Sequence, residues 1–498
     1  MITSRKKRAL AIGTPGVLVG LFVARGLDFS EISGAEILIG ISILLLSVGP
    51  AIHWARNDAT DSPLFPVMCL AMFPYYGYPI LTSKSAYVAF PESSRIVAGL
   101  TVAAFLIVTI FSYFQGKSLS DNPIQSMPSN IRQFFLKQIA HHTATNLFLT
   151  FLFVWVATEI ARNFGLMASL GTNVNVVYSI GGAAGKISIY YLFRQIGLNA
   201  LSGRVQSVIW PVFITGLLVS IASGFLVTAG LILVVAALAY IQGKGRIPWV
   251  AVLVVLGIFS FLNLGKGTMR ELYWARNAAG VNLTTSNILD IYETWLSASW
   301  RVLVGEGDQR RGGSLLERAN LIQMQTLVIN RTPDELPYLM GATYLQTPDQ
   351  AIPRILWPDK PTGNVSNNTL SIYYGVQRDS ETRSTSISFG LLAEAWANFG
   401  WWGILGLGVL FGAAMRLLSR LCYRLPDTAL LSLVSVIPLG WAVAIELAFS
   451  QWFVSLCQAL VAGVLILYLF ASTTRSRVSL IPIVDQNRIQ SEIPRVPD

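Results

Sequence analysis

Runs of about twenty apolar residues, separated by short polar breaks, occupy most of the chain up to about position 471. A membrane-spanning helix needs ~20 such residues. The pattern places spans at about 9–25, 33–52, 63–82, 95–114, 144–164, 172–193, 207–222, 224–241, 247–264, 390–418, 428–447 and 451–471. The fold class this predicts is all-α, a polytopic transmembrane helix bundle of about twelve spans with a large partly helical extracytoplasmic loop. The domain plan is an N-terminal bundle at 1–264, the loop at 265–389, C-terminal transmembrane helices at 390–471 and a disordered cytoplasmic tail at 472–498.

Cations fall into alternate short loops. Arg56, then Lys117, Arg132 and Lys137, then Arg194 and Arg204, then Lys244 and Arg246, then Arg416, Arg420 and Arg424 share one side, with Arg475 and Arg477 in the tail. By the positive-inside rule that side is the cytoplasm, which puts both termini inside and 265–389 outside. An amphipathic stretch, Ile131, Phe134, Phe135 and Ile139 with Arg132 and Lys137 between, reads as an interfacial helix.

Within the loop, Ile288, Tyr292, Trp295, Leu296, Ser299 and Leu303 recur at helical spacing. Ser314-Leu315-Leu316-Glu317 reads as a capping box opening a second helix, with Leu315, Ala319, Ile322 and Ile329 on one face. Three prolines in Ile352-Pro353-Arg354-Ile355-Leu356-Trp357-Pro358-Asp359-Lys360-Pro361 make that stretch rigid and non-helical.

Composition agrees with the pattern: 53% of residues are apolar, 12% charged, and mean hydropathy is +0.55. The net charge of +10 sits mostly in the short loops, so it argues for orientation and against nucleic acid as a partner. Cys69, Cys422 and Cys457 all lie in apolar runs, which offers neither a disulfide framework nor a metal site. His53, His141 and His142 map to the cytoplasmic side, so an outer site works without histidine. What the outer loop and its borders do hold is arginine with aromatics: Arg270, Arg276, Arg301, Arg318 and Arg354 among Tyr273, Trp274, Trp357, Tyr373 and Tyr374. Guanidinium groups grip phosphate bidentately, and flat rings stack on sugars. Such a loop can also simply pair its Arg with its Glu. Glu394 opens the tenth span, where a carboxylate is costly unless it meets a wet cavity or a partner. Glu159 and Glu446 are similar acids near helix ends that read as partners for arginine.

Three stretches resemble the O-antigen polymerase family, the Wzy-type repeat-unit polymerases. They are Gly265-Lys266-Gly267-Thr268-Met269-Arg270, Tyr338 through Pro361, and Phe389 through Gly400. The hydropathy layout, with one large late outer loop, is similar too. The resemblance implies a metal-independent, inverting-type membrane glycosyltransferase in the plasma membrane, with no cofactor. It would move a growing glycan from a polyprenyl diphosphate carrier to a lipid-linked repeat unit, alongside a chain-length regulator and a flippase. Its partners would then be polyprenyl diphosphate-linked oligosaccharide and membrane lipid. On this resemblance Glu394 is the base, Arg270, Arg318, Arg354 and Lys360 hold the diphosphate, and Tyr344, Trp357 and Tyr374 stack on sugar. Two alternatives stay open: a glycan ligase of the same superfamily, which usually relies on an outer histidine, and a transporter of lipid-linked glycans.

Overall fold

A computed structural model describes residues 31–56, 62–82, 86–115, 127–136, 141–166, 174–222, 226–269, 272, 288–306, 320–352, 357, 360, 364–383, 386–422 and 433–470. Among them every regular element is helical. In chain order they are α1 (Gly34–Arg56), α2 (Leu64–Thr82, with one π turn at Phe73–Gly77), α3 (Glu92–Phe114), α4 (Ser129–Leu136), α5 (His141–Asn163) and α6 (Val174–Gly197). Then come α7 (Gly203–Ala222), α8 (Leu226–Lys244), α9 (Trp249–Leu264), the single turn α10 (Lys266–Met269), α11 (Ile288–Leu303) and α12 (Leu321–Arg331). The short α13 (Thr347–Ala351), α14 (Val365–Tyr373), α15 (Gly390–Cys422), the short α16 (Leu439–Val443) and α17 (Phe449–Phe470) complete the described elements.

Six helices are long and apolar enough to cross a membrane, within α1, α2, α3, α5, α7 and α15; α8, α9 and α17 contribute shorter apolar stretches. The protein is therefore a helical membrane protein. Helix α6 is continuous over 24 residues but carries Lys186 and Arg194. It packs closely on α5 because Gly185 has no side chain: a Cβ there would press into the Trp155 indole. Small residues at such contacts let spanning helices approach closely.

The N-terminal ends of α1 and α3 are pinned by a buried ion pair. Arg95 Nε lies 3.3 Å from Glu36 Oε1, which also accepts the Tyr87 hydroxyl at 3.0 Å. Glu36 Oε2 closes a capping box on the Ser33 amide at 2.9 Å. At the other end, Tyr113 donates to Ser419 Oγ at 3.1 Å and ties α3 to α15. Cys69, Cys422 and Cys457 are free thiols.

Three sequence expectations change in detail. The span expected at 428–447 is broken in its described part: turns run through Ser435–Pro438, α16 lasts five residues, and turns resume after Val443. Pro438, which lacks a backbone N–H, stands at the N-cap of α16 rather than inside a continuous helix. The tenth span is two pieces, since Gly400 leaves helical geometry at φ 56°, ψ −135°. The second helix expected within 265–389, α12, starts at Leu321, capped by Asn320, whose side chain accepts the Gln323 amide at 3.2 Å; Ser314–Ala319 lie outside the described residues. Helix α11 forms as expected but turns Ile291, Trp295, Ala298 and Ser299 inward, with Leu296 and Leu303 facing out. Trp295 belongs to a small second core with Leu226, Ala229, Leu262 and Met269.

Candidate functional site

The first ten residues of α15, Gly390 to Phe399, make a half-helix about 15 Å long at 1.5 Å per residue. That is half the hydrocarbon thickness. Its alternating Ala393, Ala395 and Ala397 are all fully buried, so neighbouring backbone can come close. The Leu339 amide donates to the Ala397 carbonyl at 2.9 Å, and the Leu391 amide to the Ile445 carbonyl at 3.2 Å. The chain then turns at Gly400, where a Cβ would sit 2.7 Å from the Tyr338 hydroxyl.

Glu394 lies inside this packing at 0% exposure. Its Oε2 accepts the Phe449 amide at 2.6 Å, at the N-terminus of α17. Orphan amides and the helix dipole favour an anion there. Its Oε1 has no hydrogen-bond partner among the described residues. The Thr343 hydroxyl faces the same carboxylate. One turn on, Asn398 Nδ2 donates to the Glu394 carbonyl and to Thr343 Oγ1, both at 2.8 Å, and its Oδ1 accepts the Gly341 amide at 3.0 Å. Asn398 thereby fixes the 341–343 turn over the carboxylate. Tyr344 follows, half-buried, stacked on Phe399 with centroids 6.0 Å apart and edge-on to Phe449 at 5.3 Å. Burial pushes its phenol pKa up, and the Glu394 charge adds to the shift.

The segment that carries Phe449 also meets the first of the three stretches. Buried Lys266 acts electrostatically on Glu446, whose Oε2 lies 3.5 Å from the Tyr75 hydroxyl. Lys266 is held in place because the Gly265 amide donates to Ser299 Oγ at 3.1 Å, and Trp295 Nε1 to the Leu262 carbonyl at 2.6 Å. The turn at 445–449 thus lies within the electrostatic reach of Lys266 from one stretch, and contacts Tyr344 from the second and Leu391 and Glu394 from the third.

The residues singled out from sequence fare differently. Glu394 and Tyr344 are together. Arg270, Arg318 and Arg354 lie outside the described residues. Trp357 is half-buried and its carbonyl accepts the Lys360 amide at 3.2 Å. The Lys360 ammonium donates to the carbonyls of Gln350 and Ile352, at the C-terminal end of α13. Those carbonyls hold two of its donors, a capping role. Tyr374 is 1% exposed, bonded through its hydroxyl to Thr332 Oγ1 at 2.7 Å and packed on Phe389. A ring so enclosed has no face for a sugar, and its pKa is pushed up to about 12 by burial.

Sequence reasoning passed over Thr343, Asn398 and Lys266, although all three stand inside the stretches it quoted. It also passed over the Phe449 amide, because an unbroken span at 428–447 leaves no turn there to carry a site.

A family model described as "Domain of unknown function (DUF8712)" matches residues 128–429, which take in Lys266, Thr343, Tyr344, Glu394 and Asn398 but not Phe449. No curated protein and no solved structure matches the chain.

Proposed function

The chain belongs to the DUF8712 family, and from its site we propose that it is a polysaccharide repeat-unit polymerase of the O-antigen polymerase type. The observation that carries the reading is the Glu394 carboxylate: fully buried, anchored by one oxygen to the α17 N-terminus, faced by the Thr343 hydroxyl, and its other oxygen without a hydrogen-bond partner among the described residues. A carboxylate held so is oriented to take a proton from a hydroxyl. Supporting it, the three stretches that resemble the polymerases converge on the turn before α17.

In this account Glu394 deprotonates the attacking hydroxyl of a lipid-linked repeat unit. That oxygen displaces the polyprenyl diphosphate from the anomeric carbon of the growing glycan, with inversion. The diphosphate leaves as an anion, so cations serve it better than an acid. Arg270, Arg318 and Arg354 are its ligands in this account, with Lys266 in place of Lys360. Tyr344 and Trp357 are the sugar-facing rings. The finer layout belongs to the same proposal: about twelve spans, both termini in the cytoplasm, and 265–389 on the outer face of the plasma membrane.

A second reading, a transporter of lipid-linked glycans, draws on Lys186. This lysine sits midway along α6, its ammonium 4.2 Å from the Trp441 ring centroid on the broken segment. Charged groups at membrane depth often mark transport pathways. Deletion of the gene separates the readings. A polymerase leaves single repeat units on the carrier at the outer face. A transporter leaves them at the inner face, and a ligase leaves finished polymer still on its carrier.

A further inference from the structure

Helix α11 lies across the ends of three apolar helices. Near its start, Ile291 and Tyr292 share the small second core with Leu217 and Ile221 in the last turns of α7, and the Tyr292 hydroxyl donates to the Leu218 carbonyl. One turn on, Trp295 donates to the Leu262 carbonyl near the end of α9, and Ser299 accepts the Gly265 amide just past it. Leu226 and Ala229, in the opening turn of α8, complete the same core. The C-terminal ends of α7 and α9 and the N-terminal end of α8 thus stand together, and α11 runs from one to the next. A helix at the ends of spanning helices lies at the depth of the lipid headgroups.

Around the axis of α11 the exposed positions divide in two. Leu289, Leu296, Trp300 and Leu303 fall within about 60° of one another at 3.6 residues per turn. All four are exposed, Leu289 by 76% and Trp300 by 59%. This stripe is on the flank next to Tyr292, whereas the arc opposite the buried face belongs to Asp290, Glu293, Ser297 and Arg301, all exposed. A contiguous exposed apolar patch marks a protein or membrane surface, and its neighbour decides which. Leu218, which Tyr292 bonds, is itself exposed, as is Ile214 one turn before it, and both stand on α7, a helix long enough to cross a membrane. The exposed apolar side of a spanning helix meets lipid, so the stripe carries that lipid face onward at the end of α7. Trp300 is the residue type that settles at headgroup level. We propose that α11 is an interfacial helix whose Leu289, Leu296, Trp300 and Leu303 flank inserts among the acyl chains of bilayer lipid, in the leaflet where α7 and α9 end. Helices of this kind sink about 5–10 Å into the headgroup and acyl boundary. Because Ser299 of the same helix holds the Gly265 amide, the Lys266 turn is set at a fixed depth below that surface. The inference goes beyond the polymerase reading and holds whatever reaction the chain performs.

Spin labels on the full chain in proteoliposomes of phosphatidylethanolamine and phosphatidylglycerol test the insertion. With Cys69, Cys422 and Cys457 replaced by serine, nitroxides are placed singly at Leu296→Cys, Leu303→Cys, Glu293→Cys and Ser297→Cys. Molecular oxygen concentrates in acyl chains and a neutral nickel chelate in water. The ratio of oxygen to nickel collisions should be several times higher at the two stripe positions than at the two polar ones. A second measurement keeps the native cysteines: acyl-chain-brominated phosphatidylcholine should quench more tryptophan emission from the wild type than from Trp300→Phe, by the share that Trp300 contributes. Nickel-accessible labels at 296 and 303 would overturn the proposal by placing the stripe in water. Labels there shielded from both reagents would overturn it by placing the stripe under protein, either another segment of this chain or a second copy. Equal quenching of the wild type and Trp300→Phe would overturn it as well.

Discussion

Glu394 and Asn398 stand one helical turn apart and do different work, so their variants should fail differently. Glu394→Gln keeps the shape and can still accept the Phe449 amide. Expression and thermal midpoint should match the wild type, while chain extension falls by ~10²–10⁴, the usual worth of a general base. Asn398→Leu should act on stability instead, since it leaves the Gly341 amide without its acceptor and removes the donor to Thr343 Oγ1. Each buried orphan costs about 1–3 kcal/mol, and a lowered thermal midpoint in a detergent melt checks it. Tyr374→Phe is milder. It removes only the bond to Thr332 and should cost about 1 kcal/mol with extension intact. For the diphosphate, Arg354→Lys should extend chains far less well than wild type, because lysine lacks the bidentate fork; wild-type extension by Arg354→Lys would remove that contact.

Helix breaks position the site, and they are also where sequence was hardest to read. Spacing and hydropathy located α1, α3, α5, α7 and α9 within a few residues, because a continuous apolar run has one economical structure in a bilayer. The same signal is silent about a break. Gly400 sits in an apolar run that reads as a single span, yet its positive φ turns the chain and makes the half-helix. Gly400→Ala should therefore be costly: about 1–3 kcal/mol for a positive-φ backbone that only glycine adopts readily, plus displacement of Tyr338. The Glu36–Arg95 pair gives a cleaner element-level test of the α1–α3 contact. Removing one partner of a buried pair strands a charge and costs about 3–5 kcal/mol, whereas replacing both is often nearly neutral. Arg95→Met should thus unfold at a lower temperature than Arg95→Met with Glu36→Leu. The reverse order would show that the pair does not pin these helices.

At the scale of the molecule, the membrane class was plain from composition, and Glu394 was visible as an acid in an apolar run. The surroundings of Glu394 were not, because they come from residues far apart in the chain: the Phe449 amide stands 55 positions on, Thr343 is held there by Asn398, and Lys266 and Tyr75 approach the neighbouring Glu446 from farther still. The orientation proposed here predicts that single cysteines at Asp334 and Ser202, both exposed, react oppositely with an impermeant thiol reagent in a cysteine-free background. Asp334→Cys should label in cells with a permeable outer barrier and Ser202→Cys only after lysis. The central claim is chain growth. Purified protein in proteoliposomes, given polyprenyl diphosphate-linked repeat units and a chelator, should yield a ladder of lengthening glycans that Glu394→Gln does not produce; an intact ladder from Glu394→Gln, or no ladder from the wild type, would contradict the account.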